Sequence, residues 1–278
     1  MKALVLSGGS SHGAYQAGAI QALQDIGWTP DLVCGTSVGA INGAGYVSGL
    51  DGSDICQIWR DVSNSDVYAL RPLRDWLQIW KWKHFLDTSP LQGFLEEHLS
   101  VTDLHDSPTA FVCFGVQVED GRIVAYTNHQ GTPIQRLYDH YEIKEINNYS
   151  ILASASIPVV FPSVSGVWDG AVVANTPLLQ AVEMGADEVV VVTVNRQLGD
   201  SPSNIIESAL RLVDIASSSR FEGDLKRAKR YTGAKVHVVA PNEVLPYSRL
   251  NFNSAKKEEA IERGFNDTIQ QLNEVDHV

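Results

Sequence analysis

Asp187–Val194 reads DEVVVVTV, a β-branched run whose length and unbroken apolar character fit a strand buried on both faces. Ala3–Leu6 and Lys235–Ala240 (KVHVVA) share that character, and Asp31–Cys34 is a shorter fourth run. Ala110–Gln117 and Arg122–Thr127 flank Glu119-Asp120-Gly121, a turn signal, and so predict a hairpin. Helical patterns separate these runs. Tyr15, Ala19, Ala22, Leu23 and Ile26 fall on one face of a helix, and Ile205–Ser219 and Ala255–Leu272 read as long amphipathic helices. Strands alternating with helices predict an α/β fold, a three-layer sandwich around a mostly parallel central sheet. With no internal repeat, low-complexity tract or Pro- and Gly-rich linker, the 278 residues read as a single domain over 1–278.

Composition narrows the partners. A formal net charge of -12 argues against a general nucleic-acid binder, since phosphate binding needs clustered cations. No apolar run is long enough to span a membrane as a helix. The apolar run in MKALVLSGGSSHG is too short for a signal peptide and reads as a first strand. Cys34, Cys56 and Cys113 share no metal-like spacing and contain no CxxC, which fits reduced core thiols in a cytoplasmic protein, with neither metal nor cofactor expected.

The stretch 63–107 is the least regular. It contains Trp76–Phe85 (WLQIWKWKHF), with Arg71, Arg74, Lys81 and Lys83 making a cationic patch on an acidic chain. Two readings are open: a cap-like insertion that touches a membrane surface transiently, or aromatics packed on the main core.

Two of the strands end in small-residue turns that feed helices, Ser7-Gly8-Gly9-Ser10-Ser11-His12-Gly13 and Gly35-Thr36-Ser37-Val38-Gly39. As neighbours in a parallel sheet, both turns would lie at its carboxyl edge, where α/β proteins bind ligands. The first turn lacks the Lys-Ser/Thr of a P-loop and does not match GxGxxG, so a nucleotide reading is weak. Backbone N–H groups there could instead form an oxyanion hole. Ser37 in GxSxG between a strand and a helix is either a helix N-cap or a nucleophile on a tight turn. In an α/β-hydrolase order the histidine follows the serine and the acid, and none of the later histidines, His129, His140, His237 and His277, lies on an obvious loop at a strand's carboxyl end. Trp168-Asp169-Gly170 offers a carboxylate at the mouth of a turn. Desolvation beside Trp168 and Val167 would raise it towards a useful base, the alternative being an ordinary Asp-Gly turn.

Taken together these residues resemble the patatin-like phospholipase family. Ser7–Gly13 resembles the family's Gly-rich oxyanion loop. Gly35-Thr36-Ser37-Val38-Gly39 matches its GxSxG, and Ala153–Pro162 (ASASIPVVFP) resembles its A-S-x-A-x-P-x-x-F-P segment. Asp169-Gly170-Ala171 matches its Asp-Gly-Ala/Gly, with Asn175 and Pro177 in the family's places. The resemblance implies a lipid acyl hydrolase that works through a Ser37–Asp169 dyad and an acyl-serine, without histidine, metal or cofactor. Gly8, Gly9 and Ser10 would hold the oxyanion, supported by Gly35, Gly39, His12, Gly13 and Gly170. A lipid ester would be the substrate, with membrane contact near Trp76–Phe85 from a cytoplasmic or peripheral location.

There are two departures. Ser7 stands where the family usually has a glycine, which a negative φ would allow. His12 stands where the family has Arg or Lys; this predicts activity that falls as pH rises through its titration, or else a neutral side chain packing the loop. A catalytically silent binding protein and an acyltransferase using the same dyad are the alternatives.

Overall fold

The computed structural model describes residues 1–70, 81–129, 131, 134–137, 141–194 and 201–273. The chain begins with β1 (Lys2–Leu6), α1 (Gly13–Asp25), β2 (Leu32–Thr36) and α2 (Val38–Val47). Next come α3 (Gly52–Asp61), α4 (Asn64–Val67) and a small ribbon of β3 (Ala69–Leu70) with β4 (Leu86–Asp87). They are followed by α5 (Ser89–His98), α6 (Val101–Asp106) and the antiparallel hairpin of β5 (Ala110–Gln117) and β6 (Ile123–Thr127). The chain continues through β7 (Glu142–Glu145), α7 (Asn148–Ser154), β8 (Val167–Asp169), α8 (Ala171–Ala174) and α9 (Leu178–Glu183). It closes with β9 (Glu188–Val192), α10 (Ile205–Arg227), β10 (Lys235–Val239) and α11 (Lys257–Asn273).

The main sheet runs β10-β9-β1-β2-β5-β6-β7, and every pairing from β10 to β5 is parallel. Strand alternation divides the core into two. Leu4, Leu6, Val33 and Phe111 face α1, α2, α3, α5 and α11. Ala3, Val5, Leu32 and Val112 face α9 and the far end of α10. Helices cover both faces, so the valine-rich strands have no polar side to present. This is the expected three-layer α/β sandwich.

The described part of the stretch 63–107 is more regular than expected, because Pro90 at the start of α5 and the Ser100 cap of α6 each set a helix going. Arg71, Arg74 and 76–80 of Trp76–Phe85 lie outside the described residues, as do His140 and His277. Cys34, Cys56 and Cys113 are buried free thiols. Helix α10 runs eight residues beyond Ser219, to Arg227, and is not amphipathic as expected: Leu212 and Ile215 are exposed on its outer side.

Candidate active site

Ser37 stands between β2 and α2 at φ 57°, ψ −126°. For a residue with a Cβ this is a strained backbone, on the order of 1–3 kcal/mol, which persists only where the surroundings fix it. They do so from several sides. The Ser37 N–H donates to Ser154 Oγ (3.1 Å), and that hydroxyl donates to Phe114 O (2.6 Å). One residue earlier, Thr36 Oγ1 donates to Ala174 O (2.7 Å). The Ser37 carbonyl accepts from the N–H groups of Ala40 and Ile41, but its side chain caps nothing. The N-cap reading of the hydroxyl is therefore wrong. Gly39 is needed because a Cβ there would lie 2.3 Å from Leu6 O, where the first turn of α2 presses on the end of β1.

The carboxylate reaches the serine through β5. Residues Ala110–Phe114 pair in parallel with β2, while Gly115–Gln117 pair antiparallel with β8. Strand β6 occupies the opposite edge over Val112–Val116, so β2 and β8 share one edge and approach each other end to end. Thr36 is registered on Phe114 and Asp169 on Gly115, the next residue. A Cβ on Gly170 would meet Phe114 O at 2.3 Å, so only glycine lets the chain turn away at that spot.

Asp169 is 1% exposed and Ser37 4%. Asp169 Oδ1 accepts from the Ala171 N–H (2.7 Å), and its buried Oδ2 has no hydrogen bond of normal geometry. Burial pushes this carboxyl up to about 7, against the opposing pull of the Ala171 N–H and of the Ser37 hydroxyl beside it. Within β8, Val167 and Asp169 are buried while Trp168 between them is half-buried and alternates to the other face. The expected rise by desolvation therefore holds, with buried Val167 on the face of Asp169 and Trp168 on the other.

The first turn is built differently. Ser7 keeps a negative φ, as its place in the loop requires, and its Oγ accepts from the Val194 N–H (3.2 Å), tying β1 to the exit of β9. The Gly8 N–H donates to Asn175 O (2.9 Å). Beyond it the loop rests on Tyr247–Arg249. The Ser11 N–H donates to Arg249 O (2.9 Å), Ser11 Oγ to Ser248 O (3.1 Å) and Tyr247 Oη to Ser11 O (3.1 Å).

His12 is buried against the same segment, and its Nε2 hydrogen-bonds Tyr247 O (2.8 Å), so Nε2 carries the proton. Burial, and then the nearby Arg249, lower it to about 4. It is a neutral packing group, and the pH response expected from its titration is corrected accordingly. The cation comes instead from Arg249, which pairs with Asp214 of α10 (2.5 Å) and lines one cleft with Gly9, Ser10, Ser37 and Asp169. Sequence reasoning missed Arg249, Asp214 and Tyr247, because no local motif marks partners this far apart.

A second, apolar cavity opens at Ser10 and Ser37 and runs between α2, α3 and α5 past Ile41, Leu50, Phe94 and Leu95. Its walls are almost wholly apolar, with Asn42 and His98 among the few polar side chains.

Residues 4–182 match the family model described as patatin-like phospholipase. Lysophospholipase nte1 of Aspergillus terreus (strain NIH 2624 / FGSC A1156) is 26% identical over 209 residues, covering 74% of this chain and 12% of the fungal protein. Patatin-like phospholipase domain-containing protein 6 of Mus musculus is 38% identical over 73 residues, covering 26% of this chain and 5% of the mouse protein. The chain thus spans a small part of the length of the curated relatives it matches. Among solved structures, the type III effector protein ExoU superposes at a TM-score of 0.49 and 14% identity, over 98% of this chain and 52% of that one. VipD from Legionella pneumophila gives 0.47 and 14%, over 98% and 67%.

Proposed function

The chain belongs to the patatin-like phospholipase family, and from that premise we propose that it is a lipid acyl hydrolase with a Ser37–Asp169 dyad. The observation that carries this reading is the meeting of β2 and β8 on one edge of β5, which sets a buried, poorly ionised carboxyl against a strained serine. An aspartate at its ordinary pKa is too weak a base to help a hydroxyl. Raised to about 7, it can take the Ser37 proton near neutrality and return it.

Ser37 Oγ attacks the ester carbonyl carbon while its proton passes to Asp169 Oδ2. Charge on the carbonyl oxygen is met by backbone N–H groups of Gly9 and Ser10 and of Val38, the first residue of α2, whose dipole adds to them. The Gly8 N–H is taken by Asn175 O and contributes indirectly, by holding the loop. Collapse of the intermediate expels the alcohol, which takes the proton from Asp169. Water, deprotonated by Asp169, then attacks acyl-Ser37; the acyl–Oγ bond breaks, Ser37 Oγ takes the proton back from Asp169, and the fatty acid is freed. The acyl chain lies in the apolar cavity that opens at Ser37.

The test is fluorophosphonate labelling and turnover of a p-nitrophenyl ester series by the wild type, Ser37→Ala and Asp169→Asn. Labelling and turnover lost in both variants support the dyad. A folded wild type that neither labels nor turns over would leave a silent binding protein.

A further inference from the structure

We propose that the outer face of α10, together with the rim of the cleft beside it, is the surface by which this protein docks on a lipid bilayer. The proposal rests on the lipid hydrolase reading for its choice of partner. Ile205, Ser208, Leu212, Ile215, Ala216 and Ser219 follow one another at spacings that place them on one stripe of the helix, with no charge among them. Ile205, Leu212 and Ile215 are 67%, 70% and 51% exposed. On the opposite side, Leu210 and Val213 line the cleft of Ser37 and Asp169. Core packing explains the inner face and leaves the outer one unexplained.

The rim continues the same character. Val172 of α8 and Val159, next to the cleft residue Pro158, are large aliphatic side chains more than two-fifths exposed. These segments are contiguous beneath the surface. Leu210, Ile157, Val160, Phe161 and Leu86 form one hydrophobic cluster, with Ile206 and Phe85 packed against it. Phe85 in turn donates its N–H to Val159 O (3.0 Å) and meets Trp82 edge-on at 6.0 Å. Exposed Lys81 and Lys83 flank that pair on a chain of net charge -12.

This continuity with the cleft decides the occupant. The substrate's ester lies at the level of the head groups, and it must leave the bilayer beside a nearly buried serine. A bilayer against the rim delivers it there, whereas a protein partner on the same rim would obstruct the entrance. Aliphatic side chains beside lysines are also what an interface of apolar tails and anionic head groups accepts.

The experiment uses phosphatidylcholine vesicles with about 30% phosphatidylglycerol and a fluorescent phospholipid embedded in them. Cosedimentation and turnover are compared with hydrolysis of monomeric p-nitrophenyl butyrate. For Leu212→Asp/Ile215→Asp, the vesicle-bound fraction and vesicle turnover are expected to fall about tenfold, with butyrate turnover and melting temperature held. Ile26→Asp, at the far end of α1, should bind as the wild type does. Unchanged binding by the double variant, equal loss in Ile26→Asp, or a dimer in the wild type that the double variant dissolves would each overturn the proposal. A wild type that binds vesicles through this face but hydrolyses neither substrate would refute the hydrolase reading and leave the docking surface standing.

Discussion

At the second glycine turn, the groups that fix Ser37 come from Ser154, Phe114 and Ala174, all inside the stretch 4–182 that matches the family. At the first turn, Ser11 and His12 hang on Tyr247, Ser248 and Arg249, between 235 and 238 positions away and outside that stretch. Ser37 is therefore placed by the sheet and the short helices at its edge, whose register has no freedom once the core packs. The first turn is tied to the sheet only at Ser7 and Gly8, and its later half rests on a distant segment, which the pair Arg249–Asp214 pins to α10. Two turns of similar composition thus differ in what can loosen them. The first depends on residues 247–249 in addition to its bonds to Val192, Val194 and Asn175.

Substitutions can break that contrast or sharpen it. Ser37→Ala should have the largest effect, lowering ester turnover on the order of 10⁴-fold or more with the fold intact. Asp169→Asn should cost about 10² to 10⁴ in turnover, measured on the same esters. In the wild type kcat/KM should climb with pH to a midpoint near 7, as Asp169 loses its proton, with no falling limb from His12. The sign for stability is the reverse. A carboxyl raised from 3.8 to about 7 in the folded state keeps a proton that the unfolded chain releases, so stability declines as pH rises from about 4 to about 7. The full cost is on the order of 4 kcal/mol, and Asp169→Asn removes it. The variant should melt higher than the wild type at pH 8, and the gap should close below about pH 4.

Arg249→Met tests the other turn. It leaves Asp214 buried without its cation and should cost about 3–5 kcal/mol of stability, most of which Arg249→Met/Asp214→Asn should recover. Turnover measured below the melting point should fall through kcat rather than KM, because the loop and not the acyl cavity has shifted. An unchanged kcat would mean that the first turn is as self-sufficient as the second. Tyr247→Phe, which loses a single hydrogen bond to Ser11 O, should be the mildest change at about 1 kcal/mol, with a kcat reduced only a few-fold.

Much of this architecture could be read from the chain. The parallel strands announce themselves as valine-rich runs because helices bury them on both faces. The hairpin starting at Ala110 is legible from its turn residues, and β5 ends at Gln117 as expected. Short β8 and β7 were not legible as strands. Each is held by pairing with a neighbour, and neither has a hydrophobic period of its own. Helix α10 misled in another way: its pattern predicts a helix, but its buried face carries Asp214 and Ser217 beside Leu210 and Phe221 while Leu212 and Ile215 face out, so polarity does not mark which side is inside.

At the site, the sequence by itself determined the chemistry available: a serine in a glycine turn between strand and helix, and a carboxylate before a glycine. Those features are local, since a backbone that must turn sharply or approach another closely restricts the residue at that position. Only the tertiary structure decided how the groups act. The register of β5 put Asp169 beside Ser37, burial in the fold raised its pKa, and Arg249 of a distant segment brought to the cleft a cation that His12, buried and neutral, is not. Proton affinity and charge placement depend on what the whole fold removes from water, and that is not a property of any short stretch of chain.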